Sequence, residues 1–281
     1  MIFTYIIDEK EISIKDYLIK QLYSQKLLSA LKNKGGKIMV NGKEKRLDDM
    51  LYVNDLLEVI HPKEEISNHF EASKEPINII YEDDYLLIVS KPVHLETIPS
   101  RLNNHDTLAN RVKYFFTCHN IISNIHVITR LDKETSGLVM IAKNRYIHHL
   151  FSNHVKITKK YQALVEGTLN EDLYIEANIM RENEKSIKRV INPLGKKAKT
   201  FVKVLKVFID KTLVECTLFT GRTHQIRVHL QYINHPIIGD LLYQGKEASR
   251  LHLHCHYLSF YHPLLKKDLE ITDMIDFSHN K

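Results

Sequence analysis

The sequence predicts an α+β protein in which a mostly antiparallel mixed sheet follows a small α/β module. Three observations predict it. From residue 77 onward short apolar strands recur without the regular βαβ alternation that a parallel sheet requires. The first 60 residues carry their own pattern of two short helices and a hairpin. Between these two parts, residues 61–76 (HPKEEISNHFEASKEP) break all periodicity, with Pro62 and Pro76 at the ends and four acids, and read as a linker. The predicted organisation is therefore a module over 1–60, a linker over 61–76 and a large domain over 77–281.

Composition bounds the function classes. The chain has 281 residues, 43% hydrophobic and 26% charged, enough apolar material for a substantial core and too much for disorder. Apolar runs such as Tyr85–Val89 fall far short of the roughly 20 residues a membrane helix needs. Asp8 and Glu9 come early in an N-terminus without a long apolar stretch, so no signal peptide is expected. Cys118, Cys216 and Cys255 are odd in number and in no C-x-x-C spacing, which argues against a disulfide framework or zinc ribbon and for a reducing cytoplasm.

In the N-terminal module, Ser13 is the predicted N-cap of a helix that carries Ile14, Tyr17, Leu18 and Leu22 on one face. Leu27, Leu28 and Leu31 make a second helix, ended by Gly35-Gly36. Lys37–Val40 reads as a strand entering an Asn41-Gly42 tight turn, and Asp55–Ile60 as another strand. Charge is concentrated here: between Lys20 and Arg46, eight basic residues face a single acid, Glu44, an excess of seven against six for the whole chain. A charge run is often only a solvated face. On so small a core, however, Lys32, Lys34, Lys37 and Lys43 are suited to meeting phosphates. The run KNKGGKIMVNGK followed by LYVNDLLEVI resembles the RNA-binding domain named after the small-subunit ribosomal protein S-four, with Asn54 where that family usually has Gly. Asn tolerates the same positive-φ turn.

In the large domain, Asn78–Tyr81 and Tyr85–Val89 are strand-like around a Glu82-Asp83-Asp84 turn. Leu108, Val112 and Phe115 are spaced as a helix behind Asp106, the expected N-cap. Leu138–Ala142, Tyr161–Val165, Thr200–Val207, Leu213–Leu218 and Leu251–Leu258 are predicted strands. Ile147, Leu150, Phe151 and Val155 mark one helix, and Ile226, Leu230 and Ile233 another, with Thr223 as its N-cap. Only nine glycines are present, so Gly137, Gly167, Gly221 and Gly239, each at a strand end beside polar residues, are expected where backbone geometry demands them.

Three segments beside those glycines can carry chemistry: RLDKETSGL (130–138), KYQALVEG (160–167) and GRTHQIRVHL (221–230). Each has a bland alternative, a turn aspartate, an ordinary strand and a helix start. A buried arginine at the third junction would need a carboxylate or phosphate partner. In this order, together with HPIIGDLLY and RLHLHCHYLSFYHP, they make residues 77–270 similar to the RluA family of RNA pseudouridine synthases.

That resemblance implies the pseudouridine synthase fold and isomerisation of uridine: the bond from ribose carbon 1 to uracil nitrogen 1 breaks, and the base rejoins through carbon 5. No cofactor or metal is needed for this. It implies that Asp132 is the essential carboxylate, that Arg222 pairs with it, and that Tyr161 stacks on the uracil. Arg130 corresponds to the arginine that fills the gap left by a flipped nucleotide, and Lys91-Pro92 to the family's early K-P segment. Thr129 stands where the family commonly has His, and the loop after Pro92 departs from the family pattern.

The expected partner is RNA, large-subunit ribosomal RNA first and transfer RNA as the alternative, bound by a monomer without a membrane. Two rivals stand beside this reading. One is a non-catalytic RNA-binding or ribosome-assembly factor on the same fold, and the other a nucleoside hydrolase that would release free uracil. His252, His254 and His256 alternate along one strand near Cys255, but in no common zinc spacing, so no metal site is expected. GKKAKT (195–200) lacks a phosphate loop's first glycine and its G-K-[ST] ending, and reads as a basic RNA-facing loop.

Overall fold

Ser136–Ala142 is buried at all seven positions, as expected of a strand enclosed on both faces and both edges. In the computed structural model, which describes residues 1–66, 69–100 and 103–277, this strand lies inside a ten-stranded mixed sheet. The elements run β1 (Ile2–Ile6), β2 (Glu11–Ser13), α1 (Ile14–Lys20), α2 (Gln25–Asn33), β3 (Lys37–Val40), β4 (Lys43–Glu44), β5 (Met50–Tyr52) and β6 (Leu56–Ile60) in an N-terminal lobe. There follow β7 (Asn78–Glu82), β8 (Leu86–Lys91), α3 (Leu108–Cys118), β9 (His126–Val127), β10 (Ser136–Ala142), α4 (Arg145–Asn153), β11 (Thr158–Glu166) and β12 (Leu173–Glu176). The chain continues with β13 (Ile179–Arg181), β14 (Arg189–Ile191), β15 (Lys199–Val207), β16 (Lys211–Leu218), α5 (Gln225–Tyr232), a 3-10 turn (Leu241–Tyr243), β17 (Leu253–His262) and β18 (Lys267–Thr272).

The large sheet has the order β12-β15-β16-β11-β17-β10-β8-β7, with β18 on β17 and β9 on β10. Its pairings are antiparallel except β10 with β17, which run parallel through Ser136–His254 and Gly137–Cys255. The fold is therefore α+β with a mostly antiparallel mixed sheet. α4 packs on β9 and β10, and α5 on β14 and β15. The N-terminal lobe has a four-stranded sheet, β1-β6-β3-β4, and a small β2-β5 pair. Its hairpin turns at Asn41 (φ 50°) and Gly42 (φ 77°), and Asn54 sits at φ 67°.

Local chemistry shifts some expected boundaries. Ser13 caps α1 by accepting from the Asp16 amide, but the helix stops at Lys20 and Leu22 turns left-handed at φ 66°. Thr107, not Asp106, caps α3: its hydroxyl accepts from the Asn110 amide while the Asn110 side chain accepts from the Thr107 amide. Asp106 is occupied instead by the Arg111 guanidinium and Ser73. α5 begins not behind Thr223 but at His224, which is left-handed and makes no side-chain cap. The last long strand starts at Leu253 rather than Leu251 and reaches His262.

The segment read as a linker makes specific contacts at its start; Ser67 and Asn68 within it lie outside the described residues. Glu64 accepts from His126 Nε2 at 2.8 Å, Asn124 Nδ2 at 3.0 Å and the Arg145 amide at 2.8 Å. Burial raises the affinity of this carboxyl for its proton, but these donors and the His126 charge outweigh it and bring its pKa down to about 2. Beside it, Tyr146 of α4 stacks on Tyr23 with centroids 4.4 Å apart and meets Phe3 edge-on at 4.8 Å. One apolar cluster thus runs through both lobes.

His61 lies in this joint, with Nε2 2.9 Å from Tyr23 Oη. Burial, aided by the N-terminal amine, lowers its pKa to about 4 from 6.5. Folded His61 is neutral while the unfolded chain's imidazole takes a proton below about pH 6.5, so acid favours unfolding between pH 6.5 and 4. His61→Gln should flatten the fall in Tm across that window by several degrees. Melting curves for both proteins at pH 7 and pH 5 check this, and an unchanged difference would show that His61 does not carry the acid sensitivity.

Candidate active site

The loop before β10 carries the RLD segment, and its backbone is held from four sides. The Thr97 hydroxyl donates to the Leu131 carbonyl at 2.7 Å and accepts from the Leu131 amide at 3.2 Å. Thr129 Oγ1 accepts from the Met140 amide at 2.9 Å, which ties the loop to β10. Inside the loop, the Thr135 amide donates to the Asp132 carbonyl at 3.1 Å. The fourth anchor is Lys91, which is fully buried; its ammonium donates to the carbonyls of Leu95 at 2.7 Å, Pro92 at 2.9 Å and Lys133 at 3.1 Å. Burial lowers this amine to about 7, opposed by Glu134 and Asp132. Lys91 is thus a pin between the early loop and the RLD loop, whatever the departures of residues 93–99 from the family pattern.

The opposite wall is the turn before α5. Gln225 is buried and organises it: its Oε1 accepts from the Thr220 hydroxyl at 2.8 Å and the Arg222 amide at 3.0 Å, while Nε2 donates to the Lys199 carbonyl at 3.0 Å. Between the walls is a cleft of about 430 Å³ lined by Arg130, Asp132, Tyr161, Arg222, His224 and Leu253, among others. That volume is in the range of small-ligand sites, roughly 300–1,000 Å³. The four large-domain residues singled out in the sequence, Asp132, Tyr161, Arg222 and Arg130, therefore line one cavity although they span 93 positions of chain.

Their electrostatics differ from the expected arrangement in one respect. Arg222 does not form an ion pair with Asp132: it is exposed, and its Nε donates to the Lys197 carbonyl at 3.1 Å. The side chain that approaches Asp132 instead is His224, with Nε2 3.8 Å from Oδ2. The Gln225 clasp sets the Arg222 backbone so that the side chain reaches back over Lys197, which the motif spacing does not reveal. Tyr161, on β11, is 5% exposed, and burial, with Cys255 and Asp132 nearby, pushes its phenol well above the usual value. It stays protonated at neutral pH and is a ring surface and a donor rather than a base.

Sequence reasoning missed the supports: Thr97, His224, Tyr243 and the Arg227–Asp240 pair, whose two hydrogen bonds are both 2.7 Å. Their signal was present, since His224 and Arg227 lie inside the GRTHQIR run. Only the tertiary structure brings Tyr243 and Asp240 to them.

Other clusters resolve as structural clips. His254 joins Ser136 Oγ at 2.7 Å to the Asp273 carbonyl at 2.8 Å, a connectivity like that of a nucleophile triad. Ser136 is nearly fully buried and accepts from Arg250 at 2.5 Å, so its oxygen serves to fasten the parallel β10–β17 pair. His256 lies 3.1 Å from Glu215, and His252 Nδ1 is 3.2 Å from the Ile238 carbonyl. Among the described residues no trio of His, Cys, Asp or Glu converges as a metal site. Lys32, Lys34, Lys37 and Lys43 are exposed on the N-terminal lobe, outside the cleft, and none has an ion-pair partner among the described residues.

Comparison with known proteins points the same way. A family model described as RNA pseudouridylate synthase matches residues 85–232. An uncharacterized RNA pseudouridine synthase, YjbO of Bacillus subtilis, is 35% identical over 263 residues, covering 92% of this chain and 93% of that protein. The ribosomal large subunit pseudouridine synthase D of Vibrio cholerae is 30% identical, covering 94% and 89% respectively. Among solved structures, human RNA pseudouridylate synthase domain containing 1 aligns with a TM-score of 0.60 at 26% identity, over 73% of this chain and 86% of that one.

Proposed function

The chain belongs to the RNA pseudouridylate synthase family and isomerises uridine to pseudouridine in RNA; from that premise we propose that Asp132 is the essential carboxylate and large-subunit ribosomal RNA the substrate. The observation that carries the first part is the cleft, where the acid of the RLD loop faces a buried phenol and three arginines. The ribosomal names of several relatives support the second.

In this reading a uridine flips out of the RNA and enters the cleft, because neither ribose carbon 1 nor uracil carbon 5 is accessible to an enzyme group inside a helix. Tyr161 supplies the face on which the base stacks. Arg130, exposed at the cleft rim, fills the space the nucleotide leaves. Arg222, free of the carboxylate, faces the cleft as a cation for the RNA backbone. Asp132 acts on the ribose or base while the N1–C1′ bond breaks and the C5–C1′ bond forms; C5 loses a proton and N1 gains one. The backbone anchors of its loop provide the preorganisation that electrostatic catalysis requires. Residues 1–60 form an S-four-like RNA-binding domain ahead of the linker and the catalytic domain over 77–281, and Lys32, Lys34, Lys37 and Lys43 grip phosphates.

The test is pseudouridine mapping of total RNA from cells with and without the gene, rescued by wild type or by Asp132→Asn. Ribosomal sites that vanish and return with wild type alone support the reading. An unchanged map, or a vanished site in transfer RNA, overturns the substrate. Replacing the four lysines with Ala should reduce the salt dependence of RNA binding, by up to about one unit of log–log slope for each phosphate left without its lysine. An unchanged slope would remove them from the interface.

A further inference from the structure

His224 stands at the start of α5 in a left-handed conformation (φ 57°), unusual for a residue other than Gly or Asn. Its Nε2 faces Asp132 at 3.8 Å, and its Nδ1 lies 2.9 Å from Tyr243 Oη. Tyr243 is 1% exposed, and its oxygen already accepts a hydrogen bond from the Arg189 amide at 2.9 Å. A buried phenol needs an acceptor for its own proton. The ring nitrogen of His224 is the acceptor it meets among the described residues, so the phenol donates to Nδ1 and the imidazole proton is left on Nε2. Tyr243 is held in turn: the Arg227 guanidinium sits 5.0 Å from its ring centroid and is itself clamped by Asp240.

We propose that His224 is the positioning residue for Asp132, a neutral imidazole locked by Tyr243 in the Nε2–H tautomer and presenting that proton to the carboxylate. The inference rests on Asp132 being the reacting carboxylate. Burial favours the neutral ring, Arg227 and Arg189 act in the same sense, and Asp132 and Asp240 oppose them. A neutral donor fixes the direction of the carboxylate without cancelling its charge, as a paired arginine would. At 3.8 Å the contact is longer than a hydrogen bond. Contacts of this kind tighten when substrate fills the site.

Two substitutions separate positioning from folding. His224→Asn suits a positive φ and keeps an amide near Tyr243, but its side chain is too short to put a donor where Nε2 stands. His224→Gln places an amide proton close to that point. On a transcript carrying the mapped uridine, His224→Asn should lower the single-turnover rate about tenfold to a hundredfold with the RNA Kd changed less than about twofold. His224→Gln should recover most of the rate. Tyr243→Phe should slow the reaction several-fold, and adding it to His224→Asn should cost nothing more, since both act through one proton.

A wild-type rate in His224→Asn, equal slowing in the Asn and Gln variants, or additive effects in the double variant would each overturn the inference. Asp132→Asn, run alongside, keeps the two readings apart. If it is active, the assignment of the carboxylate falls; if it is inactive while His224→Asn matches wild type, this inference alone falls.

Discussion

Asp132→Asn is expected to lower the single-turnover rate of pseudouridine formation by about four orders of magnitude or more, while RNA affinity stays within about twofold of wild type. Such a loss corresponds to about 5 kcal/mol of barrier, at roughly 1.4 kcal/mol for each factor of ten. The substitution removes a charge and almost no volume. The anchors of the surrounding loop do not depend on the carboxylate. Thr97 bonds to the Leu131 backbone and Lys91 to the Lys133 carbonyl, while the Thr135 amide donates to the Asp132 carbonyl rather than to its side chain. The cleft should therefore keep its shape with the anion gone. Release of tritium from RNA labelled at uracil carbon 5 measures the step directly, because that hydrogen is lost when the new carbon–carbon bond forms. Activity within about tenfold of wild type would remove Asp132 from the chemistry. A parallel loss of affinity would mean that it binds RNA instead.

Gly137→Ala is expected to be a severely damaging single-methyl change. Gly137 has φ 110°, where side chains are strained, and a Cβ would sit 2.3 Å from the Cys255 carbonyl oxygen and 2.6 Å from its amide nitrogen. Those are backbone atoms of β17 in the parallel pair at the centre of the sheet, and neither strand can withdraw without breaking its other pairings. A loss above about 4 kcal/mol follows, a large part of the roughly 5–15 kcal/mol that holds most domains folded. In a chain of this size the change should lower Tm by about 10 °C or leave no soluble protein. Gly42→Ala is the control: its φ is 77°, but nothing lies within 4 Å, so only backbone strain is added, about 1 kcal/mol. A Tm for Gly137→Ala within a few degrees of the control would contradict this account of the β10–β17 junction.

The same glycines show where sequence reading stops. Gly137, Gly167 and Gly239 have positive φ, as their scarcity and positions predict. Gly221 does not, and a Cβ there would meet open space. In the Gly221–Arg222 turn it is Gln225 that sets the geometry, through side-chain bonds to Thr220, Arg222, Lys199 and Thr200. A glycine in a motif announces itself, whereas a glutamine four residues on looks like any polar residue at a helix start. The linker is a second case. Its prolines and acids point to a linker, and its described residues form no helix or strand, yet Glu64 gathers donors from three residues 60 or more positions away. Composition has no access to such contacts.

What the sequence by itself determined were the features written in local pattern. These are the mostly antiparallel strands, the Ser13 cap, the Asn41-Gly42 turn, and the ordered motifs that place the chain among the RNA pseudouridylate synthases. Each depends on residues a few positions apart, or on the order of segments that are themselves local. The tertiary structure alone decided how Asp132 is supported. It set His224 Nε2 3.8 Å from the carboxylate, where the resemblance implies an arginine, and placed Tyr243 against the same ring. It also joined the lobes through Tyr23, His61 and Tyr146. These contacts join segments 19 to 123 positions apart, and their geometry is set by how sheet and helices pack. Residue type restricts which groups can meet; the fold selects which of them do.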